Sequence, residues 1–397
     1  MSSQHINLRT PEVMLKVQEK VEQHYQSSLV ETIRAQGGVF SVGTIEIHLA
    51  KQFGFCYGVE RAIDLAYAAR QVFPNARLFL VGEIIHNPEV NAHMESLGIT
   101  NIFGKDGSAS IDSLQSEDVV ILPAFGAEVS MIDKIKARGC RIVDTTCGDV
   151  MSVWKRVRQN AAEEVTSIIH GKAAHEETRA TASRALGKGS GHYLVLLDLV
   201  EADELCSYIK HGGDREKILK KFEGAMSDGF DPDLHLLRIG VANQTTMLRA
   251  ETEEVQRRLR QAIEERDGNS NNFRFFDTIC GATQERQDAL VSLMERPLDL
   301  LLVIGGYNSS NTTHLAEMGE KKLPTYFIRN QDCLQSLSEI RHYDLHQKKE
   351  ITSQKPWMIK SPQEPVSIGI TAGASCPNNL IEEVIKRLIS LRNETLG

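Results

Sequence analysis

One arrangement returns along almost the whole chain: an apolar run of β type, a short loop of small or polar residues, then an amphipathic helix. Ile45–Leu49 leads through a loop to Cys56 and a helix from Val59 to about Arg70. Leu78–Gly82 leads to His86, and a helix follows from Pro88. Val119–Leu122, Arg141–Asp144, Thr166–Ile169, Leu236–Val241, Phe273–Phe276, Leu300–Ile304 and Val366–Ile370 each open a further unit. Strands that alternate with helices predict parallel sheets covered on both faces. In such sheets ligands bind beyond the carboxyl ends of the strands, and nearly every polar residue of interest here follows a strand. The expected class is therefore α/β, with mostly parallel sheets in three subdomains.

A local repeat refines this. Asp144-Thr145-Thr146-Cys147-Gly148 returns as Asp277-Thr278-Ile279-Cys280-Gly281, and Cys56 in Gly54-Phe55-Cys56-Tyr57-Gly58 holds the same place in a third unit. The predicted division is an N-terminal extension over 1–44, then subdomains over 45–146, 147–279 and 280–397. The extension carries a helical stretch from Pro11 to about Gln36. The middle subdomain has an insertion around Lys210–Asp233, and a polar segment over His342–Glu364 interrupts the third.

Composition excludes several classes. Lys and Arg number 45 against 53 Asp and Glu, a net charge of −8, which argues against wholesale nucleic-acid binding. No apolar run approaches the roughly 18 residues that span a bilayer, so no membrane partner is expected. The first residues lack the basic, apolar, small order of a secretory signal, and Glu12, Glu19 and Glu22 argue against a transit peptide. The expectation is a cytoplasmic protein whose seven cysteines are reduced and used for metal or catalysis.

For Cys140, Cys206, Cys333 and Cys376 the ordinary reading is a small buried apolar side chain. Cys56, Cys147 and Cys280 differ: each stands between a strand and a helix, where the helix N-terminus stabilises a thiolate and a nearby glycine lets backbone approach a bulky ligand. Three thiolates suit zinc with a fourth ligand, or an iron–sulfur cluster with one iron left open. Structural zinc sites usually use close Cys pairs, and this chain has no C-x-x-C. One cysteine per subdomain fits a cluster better, and an open iron can act as a Lewis acid.

The loops nearby carry His86, His175, Ser309, Ser310, Asn311 and Ser375, each after a strand and before a helix. Such groups at helix N-termini make an anion site, and the segment Gly305-Gly306-Tyr307-Asn308-Ser309-Ser310-Asn311 could cradle a diphosphate without any cation. Simple helix capping is the competing explanation. His175-Glu176-Glu177-Thr178 starts like a zinc-protease motif, but Arg179 ends it. Glu177 is either a proton donor or a first-turn acid favoured by the helix dipole.

Taken in order, Gly-Phe-Cys-Tyr-Gly-Val at 54–59, Glu-Ile-Ile-His-Asn at 83–87, Asp-Thr-Thr-Cys at 144–147, His-Gly-Lys-Ala-Ala-His-Glu-Glu-Thr at 170–178, Asn-Gln-Thr-Thr-Met-Leu at 243–248, Thr-Ile-Cys at 278–280, Asn-Ser-Ser-Asn at 308–311 and Thr-Ala-Gly-Ala-Ser at 371–375 resemble the 4-hydroxy-3-methylbut-2-enyl diphosphate reductase family. The resemblance runs from about Ile45 to Leu391. It implies a [4Fe–4S] cluster on Cys56, Cys147 and Cys280 at the centre of three α/β subdomains. It also implies diphosphate binding by His86, His175, Ser309, Ser310, Asn311 and Ser375. Proton delivery falls to Glu177, helped by Thr245 and by the diphosphate itself. The products implied are isopentenyl and dimethylallyl diphosphate, and the electron donor is a ferredoxin-type protein.

Two positions depart from the family's usual pattern. Its bacterial branch has a histidine in an Ala-His-Gly loop where this chain has Phe125 between Ala124 and Gly126. That form, with the N-terminal extension and the middle insertion, resembles the plant and cyanobacterial branch. Gly148 follows Cys147 where proline is usual, which predicts a less rigid helix start. A cluster-dependent hydro-lyase would need carboxylate-binding arginines in these loops, and they hold almost none. A non-enzymatic iron–sulfur sensor would usually carry a basic helix-turn-helix, and none is evident.

Overall fold

The computed structural model describes residues 8–104, 110–276, 278–353, 356–358, 360–361 and 363–396. Asp277, part of the predicted repeat, lies outside them. The chain forms two compact units. One holds the described residues up to Asn75, Glu83–Thr100 and those from Gly281 on; the other holds Ala76–Gly82 and Asn101–Cys280.

In the first unit a five-stranded sheet runs in the order Val39–Val42, Ile45–Leu49, Val366–Ala372, Leu300–Ile304, Thr325–Ile328. Its last four strands are parallel, and only the first pair is antiparallel. Leu300–Ile304 is buried at every residue. That is why its sequence is continuously apolar rather than alternating: helices cover both faces of a parallel sheet. Truncating Leu302 to alanine in this fully buried strand would cost about 3 kcal/mol. The sheet joins Ile45–Leu49 to strands some 250 residues and more away, as crossover connections allow. The contiguous ranges 45–146, 147–279 and 280–397 therefore do not follow the sheets.

The N-terminal segment is integral to this unit. The single helix expected over Pro11–Gln36 is two, Pro11–Tyr25 and Ser28–Ala35. Ser27 causes the break: its backbone is extended and its side chain caps the second helix by accepting from Val30 N at 2.9 Å. Val30 and Ile33 then enter the core of the five-stranded sheet. Overlapping the predicted polar interruption and starting two residues before it, Ile340–Asp344 and Lys349–Ser353 pair as an antiparallel hairpin.

The second unit carries two sheets. One orders Leu78–Leu80, Val119–Leu122 and Arg141–Asp144, all parallel. The other orders Phe273–Phe275, Ile239–Asn243, Thr166–His170 and Tyr193–Leu196, all parallel. The mixed α/β class with mostly parallel sheets is thus what the chain adopts. The middle insertion contains the short helices Arg215–Lys221 and Pro232–His235, both started by Asp caps. Among the described residues no helix is long and apolar enough to cross a membrane.

Candidate active site

In the first unit three loops meet at Ala374. Its carbonyl accepts from Cys56 N at 3.3 Å, and its N–H donates to Asn311 Oδ1 at 3.1 Å. Beside it, Ser375 Oγ donates to the His86 carbonyl at 3.1 Å. His86 is oriented by Glu83, whose Oε2 lies 3.0 Å from Nδ1 and also accepts from Asn308 Nδ2 at 2.5 Å. Ser309 caps the helix Ser310–Glu320, accepting from Thr312 N and Thr312 Oγ1. Capping thus explains Ser309, but not its neighbours. Ser310 Oγ and Asn311 Nδ2 are buried with no hydrogen-bond partner among the described residues. An unpaired buried donor costs roughly 1–3 kcal/mol, and two together beside a helix N-terminus suit an acceptor-rich anion.

In the second unit Thr245 is the equivalent junction. Its N–H donates to Glu177 Oε1 at 2.6 Å and its hydroxyl to Oε2 at 3.0 Å, while its carbonyl accepts from Cys280 N at 3.1 Å. Thr245 sits at the carboxyl end of the strand Ile239–Asn243, and Gln244 fixes the turn by accepting from Lys172 N and Thr178 Oγ1. Glu177 lies in the first turn of the helix Glu176–Ala185 and is buried. A dipole-stabilised surface acid would be exposed, so burial favours the chemical reading over the capping one. The cap itself is His175, whose Nδ1 accepts from Glu177 N at 3.2 Å. A neutral imidazole that accepts at Nδ1 carries its proton on Nε2, which makes Nε2 a donor.

Cys147 N donates to Ala124 O at 2.8 Å, tying the Cys147 loop to the Ala124-Phe125-Gly126-Ala127 turn. Phe125 is buried and lies edge-on to His175, centroids 6.5 Å apart; a phenyl ring offers no polar atom there. Gly126 has φ +80°, and a Cβ on it would run into the Trp154 indole. Trp154 is buried, sandwiched by the Arg184 guanidinium, which donates to Ala127 O at 2.8 Å. Burial, and secondarily Arg158, pulls the Arg184 pKa down to about 10. The helix that Gly148 opens runs to Ala162.

The donor set fits an iron–sulfur cluster. Cys56 and Cys147 are the N-caps of Tyr57–Val72 and Gly148–Ala162, and Cys280 immediately precedes Gly281–Leu293. All three carry a thiol rather than a disulfide and are half-buried, so each residue is supported yet reachable. Cys206, Cys333 and Cys376 are buried; burial pushes the Cys206 thiol up to about 12 and the Cys376 thiol higher still. The Cys206 and Cys376 thiols stay protonated at neutral pH and make poor ligands.

The hydrogen bonds therefore link Cys56, His86, Asn311 and Ser375 in one unit, and Glu177, Thr245 and Cys280 in the other. Sequence reasoning passed over Glu83, Asn308 and Gln244, which orient them. Glu83, Asn308 and Gln244 all lie inside motifs quoted for other residues, and adjacency in sequence was the available signal.

These loops, hung on mostly parallel α/β sheets and with a cysteine at the start of three helices, are those of the LytB family. The family's model, described as LytB protein, matches residues 47–389, and the chain belongs to it. The curated relative from Thermosynechococcus vestitus is named 4-hydroxy-3-methylbut-2-enyl diphosphate reductase and is 46% identical over 382 residues, 95% of this chain and 92% of the relative. The relative of the same name from Gloeobacter violaceus is 46% identical over 385 residues, covering 95% and 90%. A solved structure described as (E)-4-hydroxy-3-methyl-but-2-enyl diphosphate reductase, the terminal enzyme of the non-mevalonate pathway, superposes with a TM-score of 0.54 at 25% identity, covering 87% of this chain and 99% of that one. The Plasmodium falciparum reductase superposes with a TM-score of 0.63 at 19% identity, over 87% and 88%, and supports the fold. The chain is an oxidoreductase of this family.

Proposed function

We infer that this chain removes the hydroxyl of 4-hydroxy-3-methylbut-2-enyl diphosphate reductively, forming isopentenyl and dimethylallyl diphosphate. Two electrons and two protons enter, and the hydroxyl leaves as water. The cofactor is a [4Fe–4S] cluster on Cys56, Cys147 and Cys280; when bound, it supplies the electrons and an iron with an open position. The observation that carries the reading is the Cys280–Thr245–Glu177 linkage, which ties a buried carboxyl to a cluster ligand through one residue.

The protein's own groups divide the remaining work. Ser310 Oγ and Asn311 Nδ2 supply hydrogen bonds to the diphosphate that no partner among the described residues uses. Ser309, Ser375 and His86 line the same loops, and His175 donates from Nε2. Phe125 contributes shape in place of a further donor. Glu177, in its protonated form, delivers a proton, and Thr245 holds the carboxyl in a single orientation so that the proton leaves from a defined atom.

The electron donor is a ferredoxin-type protein. The support is a pair of exposed cations, Lys155 and Arg158, on the helix that Cys147 caps. Their neighbours do not join them: Arg156 lies over the Phe276 ring, 4.6 Å from its centroid, and Trp154 is buried. Protein purified without oxygen should be brown and should consume the diphosphate in the presence of a strong reductant. Colourless, zinc-loaded protein without turnover would overturn the reading.

A further inference from the structure

The loop that presents Cys56 is held at four successive residues, all within the first unit. Phe53 O accepts from Arg34 Nη2 at 3.0 Å, and the same guanidinium lies over the Phe53 ring, 4.1 Å from its centroid. Gly54 O accepts from Arg286 Nη2 at 2.6 Å. The Phe55 ring packs on Tyr25, centroids 5.3 Å apart. Cys56 N donates to Ala374 O. A second ring of contacts closes behind Gly54. This residue has φ +84°, and a Cβ on it would come within 2.7 Å of Asn378 Oδ1. Asn378 Nδ2 donates to Glu31 Oε1 at 3.1 Å, and Glu31 pairs with Arg34 at 2.7 Å.

We propose that Arg34 and Arg286 are positioning residues that set the 53–56 loop in its ligand-holding conformation before any cluster binds. The proposal rests on the reading of Cys56 as a cluster ligand. Two charged donors on consecutive carbonyls make the stronger kind of hydrogen bond. They are spent on a loop that leaves the sheet and pivots on a left-handed glycine, where the backbone would otherwise sample several conformations. Arg286 is buried and reaches Gly54 from the helix that follows Cys280, so one ligand's helix braces another ligand's loop. Arg34 reaches Phe53 from the N-terminal segment, which gives that segment a role at the site without touching substrate.

The test uses the full-length chain, purified without oxygen and divided into cluster-loaded and chelator-treated samples. Arg34→Gln, Arg34→Lys and Arg286→Lys are compared with wild type by amide hydrogen exchange in peptides covering 53–59 and 144–150. Losing a charge-assisted bond should speed local opening on the order of tenfold. Exchange over 53–59 should accelerate by about that factor in Arg34→Gln and by less in Arg286→Lys, where a cation remains but the guanidinium geometry is lost, with 144–150 unchanged. Arg34→Lys should restore part of the protection. Cluster-loaded variants should lose iron to a chelator several-fold faster. Unchanged exchange over 53–59, or equal acceleration over 144–150, overturns the proposal; the second result marks a general loss of stability. If Arg286→Lys does not fold, Arg34→Gln decides alone. Wild-type protein that takes up no iron would instead sink the cluster reading, and the exchange result would still decide the loop.

Discussion

Thr245 grips both oxygens of Glu177, one through its backbone N–H and the other through its hydroxyl. A carboxyl held at both ends cannot rotate, so its proton sits at a defined place. Glu177→Gln preserves shape but cannot donate a proton at useful rates, so turnover should fall about a hundredfold or more with cluster colour and substrate affinity retained. Thr245→Val removes the hydroxyl bond and keeps the backbone bond. It should lower kcat about tenfold, as expected for one such bond, and leave KM nearly unchanged. Steady-state kinetics with a chemical reductant measure both; wild-type turnover in Glu177→Gln would reduce that residue to a first-turn charge.

Apart from Cys140, which is half-buried like the proposed ligands, the cysteines separate by environment. Cys56→Ser, Cys147→Ser and Cys280→Ser should each lose cluster colour and activity together. Cys140, Cys206, Cys333 and Cys376 should tolerate serine with nearly normal iron content. Cys376 is the sharpest case, since it follows the anion-loop residue Ser375. Its raised thiol pKa means that the thiolate forms only well above neutral pH. For Cys206, at about 12, the thiolate fraction at pH 8 is roughly one in ten thousand. Alkylation of chelator-treated protein at pH 8 should therefore modify Cys56, Cys147 and Cys280 and spare Cys206 and Cys376. Iron loss in Cys376→Ser would break the assignment.

At the Cys147 loop, Gly126→Ala tests how tightly the turn is built. The substitution strains a left-handed backbone and drives a methyl group into Trp154. The expected cost is about 2–4 kcal/mol, read as a lower midpoint in denaturant. Because Cys147 N depends on Ala124 O, the displaced turn should also lower iron content after reconstitution. Wild-type stability would show that Trp154 moves aside freely.

Strands and cysteine loops were legible because their signals are local. Leu300–Ile304 announces a doubly covered strand by its composition, and Asp144–Gly148 announces a strand-to-helix turn. The hairpin of Val39–Val42 with Ile45–Leu49 had a signal too, a two-residue Gly43-Thr44 turn with φ +58° at Gly43, but the predicted boundary at residue 44 cuts through it. What no local reading gives is long-range partnership. Arg286 and Gly54, or Thr245 and Glu177, are chosen by sheet order, and parallel strands can be neighbours at any sequence separation. For the same reason the orphaned Ser310 Oγ and Asn311 Nδ2 differ from the capping Ser309 only in the folded chain.

Lys155 and Arg158 carry the last prediction. At 1.5 Å of rise per residue, Lys155 stands about 12 Å along the helix axis from Cys147, so a donor docked there lies near a cluster ligand. The whole chain is at −8, and an acidic donor would be repelled by it at long range. Exposed charges interact over only about 10 Å at 0.1 M salt, so a local pair of cations can still set the docking point. Lys155→Glu with Arg158→Glu should slow ferredoxin-driven turnover severalfold and flatten its dependence on salt. Turnover with a small chemical reductant should be unchanged, because neither side chain belongs to the hydrogen-bonded loops around Thr245 or Ala374. Equal loss with both reductants would show that these cations support the helix itself, and the donor would then have to dock elsewhere.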